Sequence, residues 1–215
     1  MNVLVLVPHG DDEVLGCGGS IVKHIDRGDH VTVAFIKAPY DERTEKQLSH
    51  TDASKKILGY QEKILLNLND KQMCDQLSFI RELENIILKT KPYTIYSTFY
   101  GDLHQDHRML FEALNSASRV WAEHRVNRIL LNETISSTGQ GLVSNIHPFV
   151  PNYYNTLKAH QVAKKVEAIE CYTTELRDYD HLRSLSNIRE HACMRGREAK
   201  SYLAEAFVLM RNLED

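Results

Sequence analysis

The sequence predicts an α/β fold: a Rossmann-like, doubly wound, mainly parallel sheet with helices on both faces. Three observations predict it. Short β-branched runs such as Val3-Leu4-Val5-Leu6-Val7 show no polar alternation, as in strands covered on both faces. Segments with apolar residues at helical spacing separate these runs. Gly28 and Gly59 fall where such segments stop.

The elements follow in order. Val3 to Val7 is the first strand, and a helix runs from about Asp12 to Arg27, with Leu15, Ile21, Val22 and Ile25 on one face. Val31 to Ile36 is the second strand. A helix from about Thr44 to Leu58 ends at Gly59, and Ile64-Leu65-Leu66 is the third strand. A helix from about Gln76 to Lys89 leads into the fourth strand, Tyr93-Thr94-Ile95-Tyr96. A helix from about Asp106 to His124 and a strand at Ile129-Leu130-Leu131 complete this rhythm. From Ser136 to Pro151 it breaks into a long loop carrying Gly139, Gly141, Pro148 and Pro151, and loops of that length are usually functional or mobile. Helices at Leu157 to Tyr172 and Leu185 to Ala199, then a strand at Ala206 to Met210, close the chain. With no internal repeat or linker, residues 1–215 are expected to form one domain.

Composition narrows the function. With 42% hydrophobic and 26% charged residues, the chain reads as globular and not as disordered or fibrous. A net charge of −3 gives no general attraction to nucleic acid or anionic membrane. No stretch nears the roughly 20 apolar residues of a membrane span. Cys17, Cys74, Cys171 and Cys193 are far apart with no Cys-x-x-Cys pair, so a disulfide framework or thiolate zinc site is not expected and the cytoplasm is.

The chemistry collects at two places. The first strand ends in Pro8-His9-Gly10-Asp11-Asp12-Glu13, and the fourth runs on to Tyr100-Gly101-Asp102-Leu103-His104-Gln105-Asp106-His107. In a strand order of 3-2-1-4-5 these strands are neighbours, and ligands bind beyond such carboxyl ends. A dinucleotide loop does not fit the first cluster. The G-x-G-x-x-G spacing is absent at the turn, and three carboxylates would repel a pyrophosphate. Gly16, Gly18 and Gly19 are instead expected to allow close helix packing. Two imidazoles and a carboxylate, with a fourth position left for water, make the pattern of a catalytic zinc centre. Taken singly, each cluster also suits a structural role: carboxylates in a first helical turn stabilise it by about 0.3–1 kcal/mol each.

The two clusters together resemble the signatures of the PIG-L/LmbE-like metal-dependent N-deacetylases. That family's Pro/Ala-His-Pro-Asp-Asp-Glu motif is matched by Pro8 to Glu13 with Gly16 in register, and its His-x-Asp-His by His104-Gln105-Asp106-His107. Pro151-Asn152, Gly196 and Ala204-Glu205-Ala206-Phe207 extend the likeness into the tail. The resemblance implies that His9, Asp12 and His107 bind Zn²⁺, with Fe²⁺ the alternative that the same ligand set accepts. It implies Asp11 as general base, His104 as a cationic stabiliser of the oxyanion, and Asp106 as the group orienting the neighbouring histidine. A cationic His104 requires a carboxylate beside it, from Asp106 or Asp102. Gly10 and Gln105 depart from the family pattern at non-liganding positions. Many members carry Arg and Glu ahead of the helix that ends at the glycine; here Ser49-His50-Thr51 stands where the acid is expected, and Arg43 is the nearest arginine, a substrate-anchor candidate with a solvated helix start as the alternative. Tyr100 and Asn152 are further substrate-binding candidates, and specificity is expected in Ala38 to Gln47 and Ser136 to Pro151.

The implied function is hydrolytic removal of acetyl from an N-acetylglucosamine-type sugar or small glycoconjugate. The expected partners are that small molecule, no nucleic acid and no membrane span, with a homo-oligomer compatible. The alternative is a non-catalytic, metal-dependent sugar or nucleotide-sugar binding domain of the same fold.

Overall fold

The computed structural model describes residues 1–142 and 146–214. Five parallel strands build most of its sheet: β1 (Asn2–Val7), β2 (His30–Lys37), β3 (Glu62–Leu68), β4 (Thr94–Thr98) and β5 (Arg128–Asn132). Two more, β6 (Tyr153–Thr156) and β7 (Ala204–Asn212), join antiparallel to give the order β3-β2-β1-β4-β5-β7-β6. The helices are α1 (Asp12–Asp26), α2 (Glu42–Leu58), α3 (Asp70–Cys74), α4 (Gln76–Thr90), α5 (Gln105–Ala117), α6 (Ala159–Glu170) and α7 (Leu185–Glu198).

The continuous apolar run of β1 follows from burial on both faces, because alternate side chains of a strand point to opposite sides. Val3, Val5 and Val7 join the core under α1, α6 and α7, with Phe35, Leu130, Val166 and Ile188. Leu4 and Leu6 join the opposite core under α4 and α5, with Phe79, Leu83, Leu110 and Leu114.

Three elements depart from the sequence expectation. The helix after β4 stops at Ala117 instead of His124, because the next apolar residues, Val120 and Trp121, face solvent. Helix α3 is a single extra turn set by an Asn69 cap, whose side chain accepts from the Gln72 N–H. Residues 153–156, expected as the exit from the long loop, form the short edge strand β6 on β7.

Helix α1 is broken at Cys17, whose φ of −148° and ψ of 22° lie outside the helical range. The break releases backbone groups that a buried ion pair then takes up. The Glu205 carboxylate accepts from the N–H groups of Gly19 (2.9 Å) and Ser20 (2.7 Å), and the Lys165 ammonium donates to the Leu15 carbonyl (2.9 Å). Lys165 and Glu205 meet at 2.6 Å. Glycine is required here by close approach. A Cβ on Gly16 would lie 2.0 Å from Asn132 Nδ2, and one on Gly19 would lie 2.5 Å from Leu157 Cδ1. β1 and β4 pair in parallel, Val3 opposite Thr94, so their carboxyl ends bring the two His/Asp clusters to one rim.

Candidate metal centre and active site

The first cluster is a strained turn held from behind. Asp11 takes a φ of 95°, uncommon for a residue with a side chain, and its carboxylate makes no capping bond to α1. Its backbone N–H donates instead to Glu13 Oε2 at 3.0 Å. Glu13 is fully buried and also accepts from Tyr172 OH (2.6 Å) and Ser54 Oγ (2.8 Å). Burial pushes its pKa up to about 7. The three carboxylates therefore do not simply satisfy a helix end: Glu13 fixes the turn, and Asp11 and Asp12 are turned toward the rim.

Asp12 Oδ2 lies 3.2 Å from both His9 Nδ1 and His107 Nε2. For metal–ligand distances of about 2.0–2.1 Å, the edge of a tetrahedron is about 3.3 Å, so this spacing suits one small cation. His104 closes the group, and His9, His104 and His107 each offer a ring nitrogen within 4.8 Å of the others. The outer nitrogens of two imidazoles face carboxylates: His9 Nε2 meets Asp106 Oδ2 at 2.9 Å, and His107 Nδ1 meets Asp102 Oδ2 at 3.3 Å. That carboxylate–histidine pairing is the usual support of metal-binding imidazoles. Lys37 Nζ holds Asp106 in turn at 2.6 Å.

Electrostatics point the same way. Burial opposes charge on His9, yet Asp106 and Asp12 overcome it and raise its pKa to about 9. His107 is likewise driven up to about 10 against burial, by Asp12 and Asp102. Burial alone would raise Asp12, but His107 and His9 hold it well below the usual carboxylate range. Two protons on inward-facing imidazoles carry the charge of one divalent cation, so the donor set fits such an ion in number, spacing and charge.

His104 differs from the expectation of a cationic imidazole. Its Nδ1 accepts from the Asp106 N–H at 3.2 Å as the cap of α5, which leaves the proton on Nε2. Burial and the charges of His9 and His107 lower its pKa to about 4. The carboxylates expected beside it serve the other two histidines: Asp106 binds His9 and lies 3.9 Å from His104 Nδ1, and Asp102 faces His107.

The cavity above these residues measures about 230 Å³ and is walled by Tyr40, Arg43, Thr44, Gln47, Leu103 and Ser136, among others. At its mouth, buried Glu175 accepts from Arg43 Nε (2.9 Å) and Arg183 Nη1 (2.6 Å), and Arg183 Nη1 lies 3.1 Å from Asp11 Oδ2. Burial pushes the Asp11 pKa well above the usual range, and Arg183 opposes that rise.

The structure thus brings together His9, Asp11, Asp12, His104, Asp106 and His107, with Arg43 at the mouth. It does not bring Tyr100 or Asn152 there. The Tyr100 ring packs on Phe99, Phe111 and His147, and Asn152 Oδ1 accepts from the Leu209 N–H beside β7. Lys37, Glu175 and Arg183 are additions, and Asp102, expected beside His104, faces His107. Of the additions only Lys37 left a trace in the sequence, a charge closing a buried strand. Of the loop expected to set specificity, residues 143–145 lie outside the described residues.

A His/Asp donor group at the carboxyl rim of a doubly wound sheet, with a further carboxylate beside it, is consistent with a metal-dependent hydrolase of the α/β class. More particularly, the chain belongs to the PIG-L family, whose GlcNAc-PI de-N-acetylase model matches residues 4–118, and it is an N-deacetylase. The uncharacterized deacetylase YaiS of Escherichia coli (strain K12) is 29% identical over 172 residues, covering 76% of this chain and 89% of that protein. The N,N'-diacetylchitobiose deacetylase of Pyrococcus horikoshii shares the fold with a TM-score of 0.74 at 21% identity, over 97% of this chain and 83% of that one. The 4-carboxy-2-hydroxymuconate hydratase GalB of Pseudomonas putida KT2440 does so with a TM-score of 0.75 at 18% identity, over 100% and 99%. Likeness at such identities defines the fold alone, and this fold carries more than one chemistry.

Proposed function

We propose that the chain is a zinc-dependent deacetylase acting on an N-acetylglucosamine-type sugar or small glycoconjugate, with Asp11 as general base. One observation carries the reading: Asp12 Oδ2 sits 3.2 Å from the inner nitrogens of His9 and His107, while buried Asp11 stands beside this donor set and outside it. His9, Asp12 and His107 would hold the ion, which when bound supplies Lewis acidity toward a water and an amide carbonyl. Asp11 takes the proton of the attacking water and delivers it to the leaving amine. The His104 Nε2–H donates to the carbonyl oxygen as that atom gains negative charge. Water and R–NH–CO–CH₃ thereby give acetate and the protonated amine R–NH₃⁺. Asp106 and Lys37 keep His9 oriented through the reaction.

A cavity of about 230 Å³ suits one sugar ring with its acetamido group, and Thr44, Gln47 and Ser136 suit its hydroxyls. Two nitrogens and one carboxylate oxygen suit zinc, and the same set accepts Fe²⁺. Among the described residues no helix is long and apolar enough to cross a membrane, and the cysteines stand free, which suits the cytoplasm. We read residues 1–215 as one domain.

The test is a panel of N-acetylated sugars, their nucleotide conjugates and glycolipid precursors, assayed for acetate and free amine together. Equimolar release that stops with chelator and returns with Zn²⁺ supports the reading. A zinc-loaded protein that binds these compounds and releases no acetate from any of them contradicts it.

A further inference from the structure

We propose that Arg183 is a positioning residue that fixes the Asp11 carboxylate over the metal donors, an inference that rests on Asp11 being the base. Asp11 is 1% exposed, and among the described residues its Oδ2 has no hydrogen-bond partner. Among the described residues the one cation paired with that oxygen is Arg183, with Nη1 at 3.1 Å. Arg183 is itself held twice, because its Nη1 donates to Glu175 Oε2 at 2.6 Å and its Nε to Ser136 Oγ at 2.8 Å.

Glu175 is 1% exposed, so its charge is paired and its place fixed. Its backbone N–H donates to the Tyr172 carbonyl at 2.8 Å. Tyr172 reaches the same turn from the other side through Glu13, which accepts the Asp11 N–H. Residues 172–175 therefore grip Asp11 twice: at its backbone through Glu13 and at its carboxylate through Arg183. Arg43 shares Glu175 but does not touch Asp11 and is half-exposed, which leaves it the group more open to substrate. Arg183 lies beyond residues 4–118, so the clamp comes from outside the part of the chain that the family model matches.

A base displaced by about 1 Å costs on the order of 100-fold in rate. In the zinc-loaded full chain, Arg183→Ala is expected to lower kcat by about that factor, with KM and zinc affinity each within about threefold. Guanidinium ion added in solution restores part of the loss, and Arg183→Lys retains part of it. A risen KM with kcat kept would make Arg183 a substrate anchor and overturn the proposal, as would an unchanged kcat. A second arm needs no substrate. In thermal unfolding, the fall in Tm caused by Arg183→Met is expected to shrink in an Asp11→Asn background. Equal falls in both backgrounds mean that the pair does not form, and the proposal fails. If the falls differ but Asp11→Asn turns over normally, the clamp is real and the reading of Asp11 as base is what fails.

Discussion

Replacing Asp102 by asparagine removes one charge and almost no volume, at a position that supports the metal centre without being part of it. Asp102 is fully buried. Its Oδ1 accepts from the His104 N–H at 2.7 Å, and its Oδ2 accepts from Thr138 Oγ1 (2.6 Å) and Ser137 Oγ (3.0 Å) and faces His107 Nδ1 at 3.3 Å. An asparagine amide must turn an NH₂ toward one of these donor sets. The gross attraction between unit charges 3.3 Å apart is about 5 kcal/mol at an effective dielectric of 20, and the amide dipole keeps only part of it. Loss of such an outer partner typically weakens metal binding by 10–100-fold, or about 1.4–2.7 kcal/mol. We expect a zinc dissociation constant raised by that factor, measured by competition with a chelator of known affinity, and a displaced absorption band for the Co²⁺ form. An affinity within threefold of the unaltered protein would refute the argument that Asp102 orients His107.

Two further predictions follow from charge. Lys165→Met leaves the Glu205 carboxylate buried without its cation, a loss of about 3–5 kcal/mol, which for a domain of this size lowers Tm by roughly 6–20 °C in a calorimetric scan; a fall of under about 2 °C would show that the kink in α1 does not depend on this pair. In the metal-free protein His9 and His107 titrate near 9 and 10, both raised above the unfolded value of 6.5, so their stabilising effect is complete below about pH 6.5 and is lost as pH rises through 9 to 10. Zinc requires the neutral imidazoles, so its uptake at pH 7 should release about two protons, declining toward none above pH 10, as read by calorimetry in buffers of different ionisation enthalpy. No release at pH 7 would contradict the assignment of both histidines.

Much of the fold was legible because its signals are local. Val3 to Val7 and Val31 to Ile36 are buried on both faces, and only Thr32 interrupts their apolar runs, so their strands could be read directly. The order that joins β1 to β4 then follows from the topology of doubly wound sheets, and with it the meeting of His9 and Asp12 with His104 and His107. Strand β6 was not legible, since Tyr153 to Thr156 is short and mostly half-buried, and its pairing with β7 is made across about 50 residues of chain. The roles inside the site were less legible than its membership. His104 reads as a cation from its motif, yet the Asp106 N–H at the start of α5 decides its tautomer. Arg183 and Glu175 carry no motif and lie more than 160 residues from Asp11, so only the folded chain brings them to it.

The central claim is that one metal ion held by His9, Asp12 and His107 acts with Asp11 to hydrolyse an N-acetyl group. Metal content and acetate release, measured together for Asp11→Asn and His9→Ala, test it most directly. Asparagine tolerates the positive φ of residue 11, and Lys37 still neutralises Asp106 when His9 is removed, so both variants should fold. The account predicts that Asp11→Asn keeps one zinc per chain and loses about 10²–10⁴-fold in kcat, while His9→Ala loses the zinc and the activity together. Wild-type turnover by Asp11→Asn, or full acetate release by a protein stripped of metal, would contradict it.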